Sequence, residues 1–305
     1  MHKEFSQSQW GAPLAEAARR ILEAATAEDV AGARDWTSCA LVPEQAAGAA
    51  DVAARERGVL AGIPAAALVC ELHGLTFTPR TADGEPLEPG RLVAEIAGPA
   101  RRLLTAERIL LNFLGRLSGI ATHTRKFVDA IAGTPAAIYD TRKTTPGWRL
   151  LEKYAVRCGG GRNHRTGLFD AVLIKDNHLA YSAQGAGPAD TPAEAVEAAR
   201  RYLIAELGEE QAAAMIVEVE VDTLEQLRNV LTAGPDIVLL DNMPPAVLRQ
   251  AVALRNDLAP RVELEASGGI SLNTVRAVAE TGVERISCGA LTHSAVNFDL
   301  GLDWV

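Results

Sequence analysis

Eight basic residues fall between positions 140 and 175: Arg142, Lys143, Arg149, Lys153, Arg157, Arg162, Arg165 and Lys175. Three acids, Asp140, Glu152 and Asp170, share that segment, which leaves five excess positive charges inside a chain whose net charge is −9. A basic, Gly-containing island in an acidic protein has the composition of a pocket for a small polyanion. A solvated basic face is the alternative that charge alone leaves open. Two later segments add to the chemistry. Ser267-Gly268-Gly269-Ile270 and Gly289-Ala290 follow apolar runs and lead into helix-like sequence, which presents small residues and backbone N–H groups to a phosphate.

The elements that must carry these residues repeat one pattern. Short apolar runs ending in polar or Gly residues occur at 136–143, 171–178, 216–222, 237–242, 262–269 and 285–291, each followed by a helix-like stretch. Near-continuous apolar runs alternating with helices imply parallel strands buried on both faces. Six such units suggest a closed α/β barrel with its active site at the C-terminal ends of the strands. That puts Arg142, Lys143, Lys175, Glu220, Asp241, Ser267 and Gly289 on or near one rim. An open doubly wound sheet is disfavoured because no GxGxxG opens the first strand and no GxxxxGK[ST] occurs. Glu218 and Glu220 alternate with valines and share a face, and Asp222 reads as a helix N-cap. The rest of the chain has a different texture. Leu14, Ala17, Ala18, Ile21, Leu22 and Ala25 form one helical face, 45–58 reads equally as helix or strand, and 74–78 and 91–96 read as strands. A long helix from about Leu103 bridges the two halves.

At 305 residues the chain has the length of two domains. Its acidity argues against a nucleic-acid partner. The longest uncharged apolar stretch, 58–70, is interrupted by Pro64 and too short to span a bilayer, and MHKEFSQSQW lacks the apolar core of a secretion signal. Cys39, Cys70, Cys158 and Cys288 have no CxxC spacing, so neither zinc nor a disulfide framework is suggested and a reducing cytoplasm fits.

Residues 141–178, TRKTTPGWRLLEKYAVRCGGGRNHRTGLFDAVLIKDNH, closely resemble the signature region of quinolinate phosphoribosyltransferases. The resemblance continues in WTSCALVP, the run from Leu87 to Thr122, EVEVDTLEQ, LLDNM, EASGGI and GALTHS. It implies an incomplete (β/α) barrel domain over 116–292, a smaller N-terminal α+β open-sandwich domain with the bridging helix over 1–115, and a tail, 293–305, packing back on the N-terminal domain.

The implied activity condenses quinolinate with phosphoribosyl pyrophosphate and decarboxylates it, giving nicotinate mononucleotide for NAD biosynthesis. By motif match, Arg142, His164 and Arg165 contact the quinolinate carboxylates, joined by Lys143 and Lys175, with Thr141 adding a hydroxyl. Arg108 is lent to a neighbouring subunit's site, which implies a homodimer or larger homo-oligomer. Glu220 and Asp241 serve the ribose and Mg²⁺, and Ser267, Gly268, Gly269, Gly289 and His293 hold the 5′-phosphate. A related barrel acting on another aromatic acid, and a non-catalytic phosphate-binding barrel, are the competing readings; the full set of bases and acids speaks against both. The sequence departs from the family's pattern over 28–37, where one glycine is lost and Trp36 gained, and over 180–195, which reads as a mobile loop. His164 follows three glycines and reads as a loop residue, whereas His73, His123, Trp148 and Trp304 read as structural.

Overall fold

The computed structural model describes residues 3–183 and 187–305; part of the expected loop over 180–195 therefore lies outside the described residues. Two compact units are present. One comprises Ser8–Lys126, Lys143–Gly161 and Leu291–Val305, and the other the N-terminal residues to Gln7 with Phe127–Arg142 and Arg162–Ala290.

In the unit that starts at Ser8, helix Ala12–Val30 buries Leu14, Ala17, Ala18 and Leu22, the stripe its periodicity marks. The ambiguous Ala-rich stretch is a strand, β1 (Ala47–Ala54). Its helix propensity loses to tertiary context, because it forms a central strand of an antiparallel sheet. The next strands are β2 (Gly58–Val59), β3 (Thr76–Pro79), β4 (Pro86–Leu87) and β5 (Leu92–Pro99). β5 lies between β1 and β3, and β2 pairs with β4. Helix Ala100–Ala130 follows, with Leu103, Ala106, Leu110, Phe113, Leu114, Leu117 and Ala121 buried.

The other unit contains β6 (Ala137–Tyr139), β7 (Ala171–Ile174), β8 (Ile216–Val221), β9 (Ile237–Asp241), β10 (Glu263–Ser267) and β11 (Arg285–Ser287). They form one parallel sheet in the order β6-β11-β10-β9-β8-β7, at the six places where the repeat predicts strands. Full closure does not occur. β6 and β7 are not paired, and Arg162 occupies the edge of β6 instead: Asp140 N–H donates to the Arg162 carbonyl at 3.0 Å and Arg162 N–H to that of Ile138 at 2.8 Å. The segment leading to His164 thus takes the position that a closing strand would need.

The final strand, β12 (Leu300–Trp304), pairs antiparallel with β1. The tail leading to it lies on helix Ala100–Ala130, where a Cβ at Gly119 would fall 2.1 Å from the Val296 carbonyl oxygen. Only a glycine permits this approach. The cap expected at Asp222 belongs to Thr223, which shares a capping box with Gln226 at the start of helix Leu224–Leu231. Thr223 is the residue with extended backbone directly before the first turn, whereas Asp222 lies one position too early.

Candidate active site

The candidate residues of the parallel unit gather at the C-terminal ends of its strands. Thr141 and Arg142 follow β6, Lys175 follows β7 directly, Glu220 is next to last in β8, and Asp241 and Ser267 close β9 and β10 opposite each other. Gly289 follows β11. Lys175 Nζ forms an ion pair with the Glu220 carboxylate. Glu220 is largely sheltered, with 12% of its side chain exposed, and Lys175 less so at 40%. Glu218, on the same face of β8 but deeper, is fully buried. The two glutamates that look equivalent in VEVEV therefore have different surroundings, and only Glu220 meets the lysine.

Asp241 and Ser267 are joined through Asn242, a residue with positive φ (51°). Its backbone N–H donates to the Ser267 carbonyl at 2.9 Å and its Nδ2 to Asp241 Oδ2 at 2.7 Å. Gly268, at φ 90°, packs against the Asn242 amide, while Gly269, at φ 61°, has open space around it. The result is a turn of exposed backbone beside two oriented carboxylate oxygens, a form suited to an anion with an adjoining hydroxylated group.

His164 and Arg165 do not sit in an exposed loop as their Gly-rich approach implies. Both are buried, at 5% and 7% exposure. Asp140, itself fully buried, accepts from Asn163 Nδ2 at 2.7 Å and from the His164 amide at 2.9 Å, pulling the segment inward. The Arg165 N–H donates to His164 Nδ1 at 2.7 Å. That bond leaves the ring proton on Nε2, which lies 2.9 Å from a Glu218 oxygen and 3.6 Å from Glu265. His164, Glu218 and Glu265 have the composition of a metal site. The tautomer decides otherwise, because a ligating Nε2 would need its proton on Nδ1, where the Arg165 amide points.

Burial, and then the like charge of Arg142, lowers the pKa of Arg165, partly offset by Glu218 and Asp170. The Arg165 guanidinium donates to the Ala171 carbonyl at 3.3 Å, and a carboxylate ligand would relieve the charge that Arg142 sets against it.

Burial and the Glu218 carboxylate push the Glu265 carboxyl up to about 7, with His164 acting in the opposite direction. Between its ordinary 4.5 and about 7 the folded protein holds a proton that the unfolded chain has released, so stability falls as pH rises through that window. Glu265→Gln, neutral at every pH, should flatten this fall; melting curves of the two proteins from about pH 5 to about pH 8 check it.

Lys143, Arg108 and His293 belong to the unit that starts at Ser8. Lys143 and His293 are exposed, and they are tied together through Thr292, whose hydroxyl donates to the Lys143 carbonyl at 2.7 Å. Arg116 anchors this corner by donating to buried Glu152 at 2.6 Å and to the Thr292 carbonyl at 2.8 Å. Arg108 is an exposed residue of helix Ala100–Ala130.

Sequence reasoning alone does not reach Asp140, Asn163, Asn242 or Glu265 as site residues. The available signals are the position of Asp140 at a strand end and the alternation VELEAS, which places Glu263, Glu265 and Ser267 on one face.

Residues 35–118 match the family model described as "Quinolinate phosphoribosyl transferase, N-terminal domain", and 120–303 match that described as "Quinolinate phosphoribosyl transferase, C-terminal domain". The chain belongs to the quinolinate phosphoribosyl transferase family. The first match takes in β1–β5 and the second β6–β11. Among the relatives in this family, nicotinate-nucleotide pyrophosphorylase [carboxylating] of Mycobacterium leprae is 44% identical over 94% of this chain and 97% of that protein. The probable enzyme of the same name from Bacillus subtilis is 41% identical over 93% of this chain and 92% of that protein. The solved nicotinate-nucleotide pyrophosphorylase from Francisella tularensis superposes with a TM-score of 0.87 at 36% identity, covering 99% of this chain and all of that one. Agreement over both family domains makes the fold that of a quinolinate phosphoribosyl transferase throughout.

Proposed function

We propose that this chain transfers the phosphoribosyl group of phosphoribosyl pyrophosphate to quinolinate and decarboxylates the product, releasing pyrophosphate, CO₂ and nicotinate mononucleotide for NAD biosynthesis. The observation that carries this reading is the mutually charged pair Arg142 and Arg165, in the same unit whose strand ends carry the Lys175–Glu220 ion pair and the Asp241–Ser267–Gly268 turn. The first pair suits two carboxylates on one ring; the turn suits a ribose 5′-phosphate.

In this reading Arg142 and Arg165 hold the carboxylates, assisted by Thr141, Lys143 and a neighbouring subunit's Arg108 in a homodimer. His164 keeps Arg165 in place. Ser267, Gly268, Gly269, Gly289 and His293 receive the 5′-phosphate. The ring nitrogen attacks the anomeric carbon as its bond to pyrophosphate breaks, and the electron pair leaves with pyrophosphate. Glu220 and Asp241 stabilise the positive character of the sugar carbon in passing. The positive charge of the now quaternary nitrogen stabilises the electron pair left on the adjacent ring carbon when its carboxylate departs as CO₂, and a proton from solvent completes that carbon. Lys143 and Lys175 offset the negative charge that develops there. Glu220 and Asp241 also fit Mg²⁺: they are hard oxygen donors at neighbouring strand ends, and this ion takes one or two carboxylates alongside substrate oxygens. When bound, Mg²⁺ would neutralise charge on the departing pyrophosphate. Four free cysteines suit a reducing, cytoplasmic setting.

Incubation with quinolinate, phosphoribosyl pyrophosphate and Mg²⁺, with nicotinic acid as the control acceptor, tests the reading. Nicotinate mononucleotide formed from quinolinate only supports it. Turnover of nicotinic acid instead, or ligand binding without turnover, overturns it.

A further inference from the structure

The N-terminal stretch, which has no part in the chemistry read from sequence, enters the parallel unit beneath the candidate site. Phe5 is 4% exposed and packs with Ala171, Ile216 and Ile237, the first residues of β7, β8 and β9. It therefore closes the end of the sheet opposite the catalytic rim. The segment is held firmly. Lys3 reaches Asp236 at 3.0 Å, and Glu4 accepts from Tyr139 at 2.8 Å and from buried Arg285 at 3.2 Å.

Two of its side chains touch the segment that carries Arg165. The Phe5 ring stacks on His164, with centroids 4.3 Å apart and planes 28° from parallel. Gln7 makes a two-way pairing with Asn163: its Oε1 accepts from the Asn163 amide at 2.9 Å and its Nε2 donates to the Asn163 carbonyl at 3.1 Å. His164 in turn accepts the Arg165 amide. The imidazole is thus fixed on its face by Phe5, at one nitrogen by Arg165 and at the other by Glu218. Removing the stacked ring frees the imidazole to tilt, and removing Gln7 releases the backbone one residue earlier.

We propose that Phe5 and Gln7 are positioning residues for Arg165, through which the N-terminal strap sets the affinity for the pyridine dicarboxylate. This rests on the reading above in which Arg165 holds a quinolinate carboxylate. The strap touches neither Asp241 nor the Ser267–Gly269 turn in the contacts described, so its effect should be confined to one substrate. A displacement of about 1 Å at such a site can cost up to about 100-fold.

Steady-state kinetics of the full chain, Gln7→Ala and Phe5→Leu, with thermal melting of each, provide the test. The expected result is a KM for quinolinate raised about 10-fold in Phe5→Leu and about 5-fold in Gln7→Ala, with KM for phosphoribosyl pyrophosphate within about twofold of the parent. A strap that merely supports the fold would lower kcat through a smaller active fraction and leave both KM values alone. That outcome, or a parallel rise of both KM values, overturns the proposal. Should Phe5→Leu fail to fold, Gln7→Ala decides alone, since Gln7 is half-buried and makes no core contact with the first residues of the strands. An active parent with unaltered variants sinks only the strap assignment. A parent that does not turn over quinolinate sinks the functional reading and this proposal with it.

Discussion

Lys175→Ala should lower kcat/KM for quinolinate by about 10³ while changing stability by no more than about 1 kcal/mol. The two magnitudes separate because of where the ammonium lies. Its side chain is 40% exposed and its partner Glu220 is at a strand end, so the pair contributes to folding only as a half-solvated ion pair does. For catalysis the same position is costly to lose. In the proposed reaction the carbanion formed when the carboxylate leaves needs a cation close by, and a residue placed beforehand spares the solvent reorganisation that water would need. Glu220 would also be left without its cation. Lys175→Arg, which keeps charge but spreads it over a planar group, should recover only a small part of the loss. Initial rates of nicotinate mononucleotide and pyrophosphate formation check this. A fall in kcat/KM of less than tenfold would remove Lys175 from the reaction.

How much of the site is legible in the sequence depends on whether a residue's role follows from its own strand. Lys175, Glu220, Asp241 and Ser267 are legible, because apolar strands with period-2 alternation and abrupt polar ends imply parallel packing, and parallel packing puts all those ends on one side. The layer beneath is not. Glu218 and Glu220 differ by two positions and look alike in sequence; only the depth of the sheet separates a fully buried acid from one paired with a lysine. His164 has loop-like neighbours, and its burial is imposed by Asp140, more than twenty residues earlier. Phe5 and Gln7 meet His164 and Asn163 across more than 150 residues, a contact that no local pattern encodes. Closure of the barrel escapes a local reading for a related reason. A short strand such as β6 looks competent to pair on both sides until the chain returning through Arg162 takes one of them.

The two glycines of the Ser267–Gly269 turn make a sharper experiment than either alone, since they share a motif and differ in surroundings. Gly269 has φ 61° and nothing within 4 Å of the place a methyl group would occupy, so Gly269→Ala meets only the intrinsic left-handed cost of about 1–2 kcal/mol. Gly268 has φ 90°, and a Cβ there would lie 2.2 Å from Asn242 Oδ1. Asn242 has little freedom to yield. Its side chain is short, its own φ is positive, and its Nδ2 holds Asp241 at 2.7 Å. Moving it releases Asp241 while the new methyl group distorts the backbone that would receive the phosphate. Gly268→Ala should therefore raise KM for phosphoribosyl pyrophosphate about 100-fold, against less than about fivefold for Gly269→Ala, with KM for quinolinate nearly unchanged in both. Adding Asn242→Gly to Gly268→Ala clears the clash but leaves Asp241 without its amide, so KM should improve while kcat stays low. Equal effects of the two single substitutions would mean that backbone strain alone governs the turn, and that the packing of Gly268 on Asn242 plays no part in placing Asp241.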